Sequence, residues 1–302
     1  MKKHSFTSNY PTSTALREKL GQSGLITGIG IYDAFSALML ESAGAELLFL
    51  GGFGATASQL GLPDLSLISA PEMITAIRHI TNVVQVPLIA DGDTGFGCLP
   101  NLVQAVQQYE DAGAAGILLE DQTFPKRCGH FQNKSVIPSE EMERKLGIAV
   151  NARQNSDFLI IARTDALAVE SFDQVVHRVQ RYADAGVDMC FVEALETEKQ
   201  IRELPQKVSI PLMINMLWGG RTPILSASEL EELGYKLMAI PIASLLAVGG
   251  ALKNLMADLQ QHGKIVDCAD QLISFKEIKN VLKLDSILDS LESDPKSPMS
   301  DH

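Results

Sequence analysis

"NLVQAVQQYEDAGAAGILLE", residues 101–120, contains the unit from which the chain is built. Its first part has the apolar spacing of an amphipathic helix and Gly113 stops that helix. "GILLE" (116–120) is then a short run apolar enough for a strand buried on both faces. The glycine between them is the usual helix-to-strand turn, and it recurs in "SAGAE" and "DAGVD".

The same alternation runs along the chain. Strand-like runs are "LITGIG" (25–30), "ELLFL" (46–50), "VPLIAD" (86–91), "GILLE", "FLIIAR" (158–163), "MCFVE" (189–193), "PLMIN" (211–215) and "KLMAIP" (236–241). Helical period shows in "AFSALMLESAG", "SAPEMITAIRHITN", "SEEMERKLGIAVNAR", "SFDQVVHRVQRYADAG" and "ASLLAVGGALKNLMADLQQHG". Parallel neighbours need crossover helices, so this order predicts an α/β fold. Eight units fit a closed (β/α)8 TIM barrel better than an open doubly wound sheet. No Gly-x-Gly-x-x-Gly follows the first strand, which removes the main support for a dinucleotide fold. The barrel is expected over residues 1–265, with a helical extension and a polar, disordered tail over 266–302.

Composition narrows the function. The formal net charge of −12 leaves no basic face for nucleic acid. No apolar run is long enough for a membrane span, and the N-terminus lacks the apolar core of a secretory signal. The four cysteines, Cys98, Cys128, Cys190 and Cys268, are far apart. That spacing argues against a disulfide framework or zinc cage and makes a reducing cytoplasm the expected compartment.

In barrels of this kind catalytic groups sit where strands end. Those positions here are Gly51, Gly52 and Phe53 after the second strand, Asp91 and Asp93 after the third, and Glu120 and Asp121 after the fourth. Arg163 and Asp165 follow the fifth, Glu193 the sixth and Asn215 the seventh. Asp91, Asp93 and Glu120 are hard oxygen ligands suited to Mg2+, with Mn2+ as a substitute. Arg163 offers a fork for a substrate carboxylate, Asn215 another donor, and the glycines close backbone approach to an anion. Each has an alternative: Asp165 as a cap, Glu193 as a structural partner of Arg163, His79 and His177 as surface residues, and Cys98, Cys190 and Cys268 as inert thiols.

One segment is unlike the rest. "EDQTFPKRCGHFQNK" (120–134) sets a thiol among basic groups just past a strand end. With "LGGFGATASQLGLPDLS", "DGDTGFG", "ARTDA", "FVEA" and "NMLWGGRTP" in order, the chain resembles the phosphoenolpyruvate mutase/isocitrate lyase superfamily over roughly residues 15–265. "KRCGH" is similar to the pentapeptide of its carbon–carbon lyase branch. The resemblance implies a barrel whose eighth helix is exchanged between subunits of a homotetramer, with a di- or tricarboxylate substrate. It further implies Cys128 as proton donor on a loop over the substrate, Asp91 as principal Mg2+ ligand, and Asp93 and Glu120 acting through water. Arg163, Asn215, Leu217 and the Gly51–Gly52–Phe53 backbone would hold the substrate. Asp64, Lys126, His130 and Glu193 would complete the catalytic set.

That set suits cleavage of a 2-hydroxy acid between C2 and C3. A thiol is protonated near neutral pH and can donate to a carbanion, while Lys126, Arg127 and His130 stabilise charge. Methylisocitrate lyases commonly carry Thr-Glu where Leu217 and Trp218 stand, and alkylmalate lyases show "NM-x-EGG-x-TP", which "NMLWGGRTP" fits except at Trp218. Gly51 also stands where many relatives have a hydroxyl. The expected substrate is therefore a 2-alkylmalate such as 2,3-dimethylmalate, with methylisocitrate next and oxaloacetate hydrolysis third. A non-catalytic keto-acid-binding protein is the alternative of a different class.

Overall fold

The computed structural model describes residues 12–126 and 134–292. Eight parallel strands close a barrel in chain order. They are β1 (Ile26–Ile31), β2 (Leu48–Leu50), β3 (Leu88–Asp91), β4 (Gly116–Glu120), β5 (Leu159–Thr164), β6 (Met189–Val192), β7 (Leu212–Asn215) and β8 (Leu237–Ile240). β8 pairs back on β1, Ile26 opposite Leu237, so no edge is left open. The (β/α)8 barrel expected from the alternation is the fold observed.

All eight expected runs are strands, with ends within two residues of those expected. β3 and β7 begin just after Pro87 and Pro211, because proline has no N–H to give the ladder. Their carbonyls still accept, Pro87 O from Leu48 N and Pro211 O from Cys190 N, both at 3.0 Å.

Helices α2 (Ala34–Ser42), α4 (Ala70–Thr81), α5 (Leu99–Asp111), α6 (Ser139–Ala152) and α7 (Phe172–Asp184) fall where the apolar period placed them. Ser69 and Glu72 form the capping box of α4, with Ser69 N donating to Glu72 Oε2 at 2.7 Å. Four other helices were not legible as such. α1 (Thr12–Leu20) precedes the barrel, and α3 (Gly52–Leu60) opens on glycine. α8 (Glu198–Lys207) contains Pro205, and α9 (Ala227–Leu233) is too short to show a period.

Inward side chains from the strands, including Ile26, Phe49, Ile89, Leu118, Ile161, Phe191 and Met213, form one buried cluster. Leu16 of α1 joins that cluster at 1% exposure, so the helix contributes to the core of the barrel. Every strand runs the same way, so all eight C-terminal ends share one rim.

The chain divides into two compact units, one through Leu245 and one from Leu246. The division falls inside α10 (Ala243–His262), whereas a boundary at 265 assigns that whole helix to the barrel. In the second unit Asp258 Oδ2 accepts from Val266 N at 2.8 Å and Cys268 N at 3.2 Å, closing the loop after α10. Helices α11 (Phe275–Val281) and α12 (Leu284–Glu292) then pack on each other.

Candidate active site

Five charged side chains meet where β2, β3 and β4 end. Asp64, Asp91, Asp93, Glu120 and Lys126 are all between 0% and 6% exposed. β3 delivers Asp91, and Tyr109 of α5 steadies the strand end by donating to Asp91 O at 2.8 Å. Gly92 is required between the two aspartates, since a Cβ there would lie 2.6 Å from the Ile117 side chain. The chain then turns back through Asp93 at φ 46°, and Asp93 N donates to Asp91 Oδ1 at 3.0 Å. Glu120 N donates to Asp93 O at 2.9 Å, which joins β4 to the same turn.

Lys126 Nζ lies 2.8 Å from both Asp64 oxygens and 2.9 Å from Asp93 Oδ1. Gly52 closes the cluster from the side, its N–H donating to Asp91 Oδ2 at 3.1 Å. Gly52 is the first residue of α3, so its glycines begin a helix and present that helix's N-terminus to a carboxylate. A Cβ on Gly52 would meet Asp91 Oδ2 at 3.2 Å, Asp93 Oδ1 at 3.3 Å and Lys126 Nζ at 3.3 Å. Three polar atoms thus converge on one small cradle.

The cradle is short of positive charge. Burial, outweighing Lys126, pushes the Asp93 carboxyl up to about 7, with Asp91 and Asp64 adding repulsion. Burial likewise raises Glu120 well above the usual carboxylate range, despite Arg163 and Lys126. Lys126 is also desolvated, yet Asp93, Asp91, Glu120 and Asp64 raise it overall. Neither Glu120 oxygen has a hydrogen-bond partner among the described residues. Excess carboxylate, orphaned oxygens and an all-oxygen donor set fit a hard divalent cation. Asp91, Asp93 and Glu120 are the residues that could hold it.

The opposite half of the rim is built on Arg163, at the end of β5. Its Nη2 is 3.2 Å from Glu193 Oε2 and its guanidinium lies over the Phe191 ring at 5.7 Å. The fork expected to face a substrate is already engaged by Asp165, Nε to Oδ2 at 2.8 Å and Nη2 to Oδ1 at 3.1 Å. The pairing of Arg163 with Glu193, set out above as an alternative, is present. Ala194 N donates to Glu193 Oε1 at 3.0 Å, which orients that acid. Asn215 ends β7 with its Oδ1 buried and unpartnered among the described residues, and Leu217 follows, half-buried. Gly51 and Phe53 are half-buried beside Gly52. A cavity of about 450 Å3 adjoins Asp93, walled by Ile68, Pro71, Thr94, Phe96 and Phe124.

Cys128 and His130 lie outside the described residues, as does Arg127. His79 and His177 are exposed on helices; Cys98 is exposed, and Cys190 and Cys268 are buried.

A model of the phosphoenolpyruvate phosphomutase family matches residues 16–260. The chain belongs to the phosphoenolpyruvate mutase/isocitrate lyase superfamily. It is 36% identical over 276 residues to 2,3-dimethylmalate lyase of Eubacterium barkeri, across 91% of this chain and 96% of that protein. Identity to 2-methylisocitrate lyase of Aeropyrum pernix is 39% over 267 residues, across 88% of this chain and 86% of that protein. Among solved structures, phosphonopyruvate hydrolase in complex with oxalate and Mg2+ superposes with a TM-score of 0.85 at 29% identity, covering 95% of this chain and 99% of that one.

The superfamily motifs account for one side of the rim better than the other. Asp121, at the end of β4, points away from the cradle. It accepts from Thr164 Oγ1 at 2.6 Å, Tyr182 OH at 2.8 Å and Asp165 N at 2.9 Å. Lys134 Nζ reaches Asp165 Oδ1 at 2.8 Å. Asp121 and Asp165 stand at strand ends in the sequence, but nothing local distinguishes Lys134 or Tyr182 from surface residues. The one available signal was a lysine closing the quoted loop and an aspartate inside "ARTDA" next to a strand end.

Proposed function

We propose that the chain is a Mg2+-dependent carbon–carbon lyase acting on a 2-hydroxy acid of the 2-alkylmalate type, such as 2,3-dimethylmalate. The products are pyruvate and a short carboxylate. The observation that carries this reading is the carboxylate-rich cradle at Gly52, facing a buried arginine across the same rim. The similarity to 2,3-dimethylmalate lyase supports the substrate class. The Mg2+–oxalate complex of a structural relative supports the cation.

Asp91, Asp93 and Glu120 would hold the cation. When bound, it lowers the free energy of the negative charge that develops on the substrate hydroxyl and its neighbouring carboxylate. Arg163, Asn215 and Leu217 bind and orient that end of the substrate. Gly52 N–H is taken by Asp91, so Gly51 and Phe53 supply the backbone contacts at the start of α3. In the cleavage the hydroxyl passes its proton to a carboxylate of the acidic rim, C2 becomes a carbonyl carbon, and the C2–C3 electron pair moves onto C3, next to a carboxylate. Cys128 gives its thiol proton to C3, and Lys126, Arg127 and His130 stabilise the transient charge. Asp64 and Glu193 keep Lys126 and Arg163 in place, each within 3.2 Å of its partner.

Methylisocitrate is the second reading, favoured by the 39% identity to a 2-methylisocitrate lyase. Against it, Lys126, Lys134 and Arg163 at this rim already meet acids, leaving less for a third carboxylate. A homotetramer exchanging α10 is the assembly we favour, because Leu246, Leu252, Met256 and Leu259 on that helix are 43–60% exposed. We place the protein in the cytoplasm. Among the described residues no helix is long and apolar enough to cross a membrane.

The test is a screen of substituted malates and citrates with Mg2+, following pyruvate through lactate dehydrogenase. A 2-alkylmalate should be turned over, and Cys128→Ser should abolish cleavage while oxalate still binds. Full activity in that variant refutes the assigned proton donor. Binding of pyruvate with no turnover of any acid would make the chain a keto-acid-binding protein instead.

A further inference from the structure

Asp165 and Glu120 compete for one hydrogen-bond donor. Arg163 Nε is 2.8 Å from Asp165 Oδ2 and 3.4 Å from Glu120 Oε2. Asp165 wins because it also accepts from Nη2 at 3.1 Å, a two-point grip that Glu120 does not have. Glu120 is thereby left fully buried with both oxygens free of hydrogen bonds among the described residues. A buried carboxylate in that condition is costly unless something else serves it. Lys126 and Asp93 of the cradle are also near enough to act on its charge.

The clamp on Asp165 is built to stay put. Asp165 is 0% exposed, and its own N–H donates to Asp121 Oδ1 at 2.9 Å. Asp121 is held in turn by Thr164 Oγ1 and Tyr182 OH. Lys134 Nζ at 2.8 Å supplies a second positive charge to the Asp165 carboxylate, and together with Arg163 it holds Asp165 below the ordinary carboxylate range despite burial. A fixed carboxylate can therefore hold a long, otherwise adaptable arginine away from Glu120.

We propose that Asp165 is a positioning residue: by gripping the Arg163 fork, with Lys134 behind it, Asp165 keeps that guanidinium off Glu120 and leaves the Glu120 carboxylate open toward the divalent-cation cradle of Asp91 and Asp93. The inference rests on the cation reading above and adds to it a residue outside the Asp91, Asp93 and Glu120 donor set, in contact with Arg163, Lys134 and Asp121. It also gives "ARTDA" a physical role, since the arginine and the aspartate two residues on act as one unit.

The experiment is a Mn2+ titration of the full-length protein, freed of metal by chelator, with free Mn2+ read by electron paramagnetic resonance. Asp165→Asn removes both the grip and a negative charge; Asp165→Glu keeps the charge and displaces the grip. Both should weaken Mn2+ binding by about tenfold, the worth of one charge-assisted hydrogen bond redirected to Glu120. In a Glu120→Gln background neither change should weaken Mn2+ binding further, because there is no longer a carboxylate for Arg163 to capture. A purely electrostatic role would leave Asp165→Glu like the parent and would persist in Glu120→Gln. Either outcome overturns the proposal. Should Asp165→Asn fail to fold, Asp165→Glu with and without Glu120→Gln carries the same test. A parent protein that binds no Mn2+ refutes the cation reading itself; a parent that binds while Asp165→Glu is unchanged refutes only the positioning role.

Discussion

Replacing Lys126 by methionine separates the two duties of the carboxylate cradle, being folded and holding a cation. Methionine keeps most of the buried stem but removes an ammonium that is 2% exposed and lies 2.8–2.9 Å from Asp64 and Asp93. Breaking a buried pair by removing one partner costs about 3–5 kcal/mol, since the other charge is left uncompensated. For a domain of this size each kcal/mol lowers Tm by about 2–4 °C, so the melt should fall by roughly 6–20 °C in chelator. Added Mg2+ should repair much of that loss. A ligand at one hundred times its Kd adds about 2.7 kcal/mol, and the vacated cradle should bind it more tightly than the parent does. The assay is thermal denaturation by circular dichroism, with and without saturating Mg2+. A Tm drop under about 2 °C would mean the acids are not relying on Lys126. A Mg2+-induced rise no larger than the parent's would mean the cation does not go where the lysine was. Either result refutes the reasoning.

Three further outcomes follow from the same geometry. Gly52→Ala should leave stability within about 1 kcal/mol of the parent, because alanine suits a helix start, yet weaken Mn2+ binding about tenfold by crowding Asp91 and Asp93; unchanged titration would show the cradle is not the cation site. The Asp93 carboxyl sits at about 7 when folded, above its unfolded value of about 3.9, so the native state holds that proton more tightly. Stability in chelator should therefore fall as pH rises from about 4 to about 7, and Mg2+ should flatten the slope; a flat profile in chelator would contradict the burial of an acid in that state. Trp218 is the chain's single tryptophan, 82% exposed on the loop after Asn215. Oxalate with Mg2+ should shift its emission to the blue, and an unchanged spectrum would separate that loop from the ligand.

The barrel was readable because strand and helix periods are local. "GILLE" became a strand with the expected bounds, and the other runs were off by one or two residues at one or both ends, at β3 and β7 where Pro87 and Pro211 remove a donor. The cradle acids were readable because each directly follows a strand, and topology turns chain order into a shared rim. Helix α3 was not, because Gly52 and Gly54 have low helix propensity and tertiary packing overrode it. The reading of Arg163 as an open fork missed its two-point partner, Asp165, although the two are separated by a single residue. Sequence spacing cannot say which way two neighbouring side chains turn.

By itself the chain's order of apolar runs determined a closed parallel barrel, which strand ends share a rim, and an acidic, hard-oxygen chemistry there. Tertiary structure alone decided which partner each charge takes: Lys126 with Asp64 and Asp93, Lys134 and Arg163 with Asp165, and Glu120 with only a longer 3.4 Å approach from Arg163 and no hydrogen bond among the described residues. The physical reason is that backbone periodicity is set within a few residues, whereas the energy of a buried charge depends on every group within a few ångströms of it, wherever in the chain those groups originate.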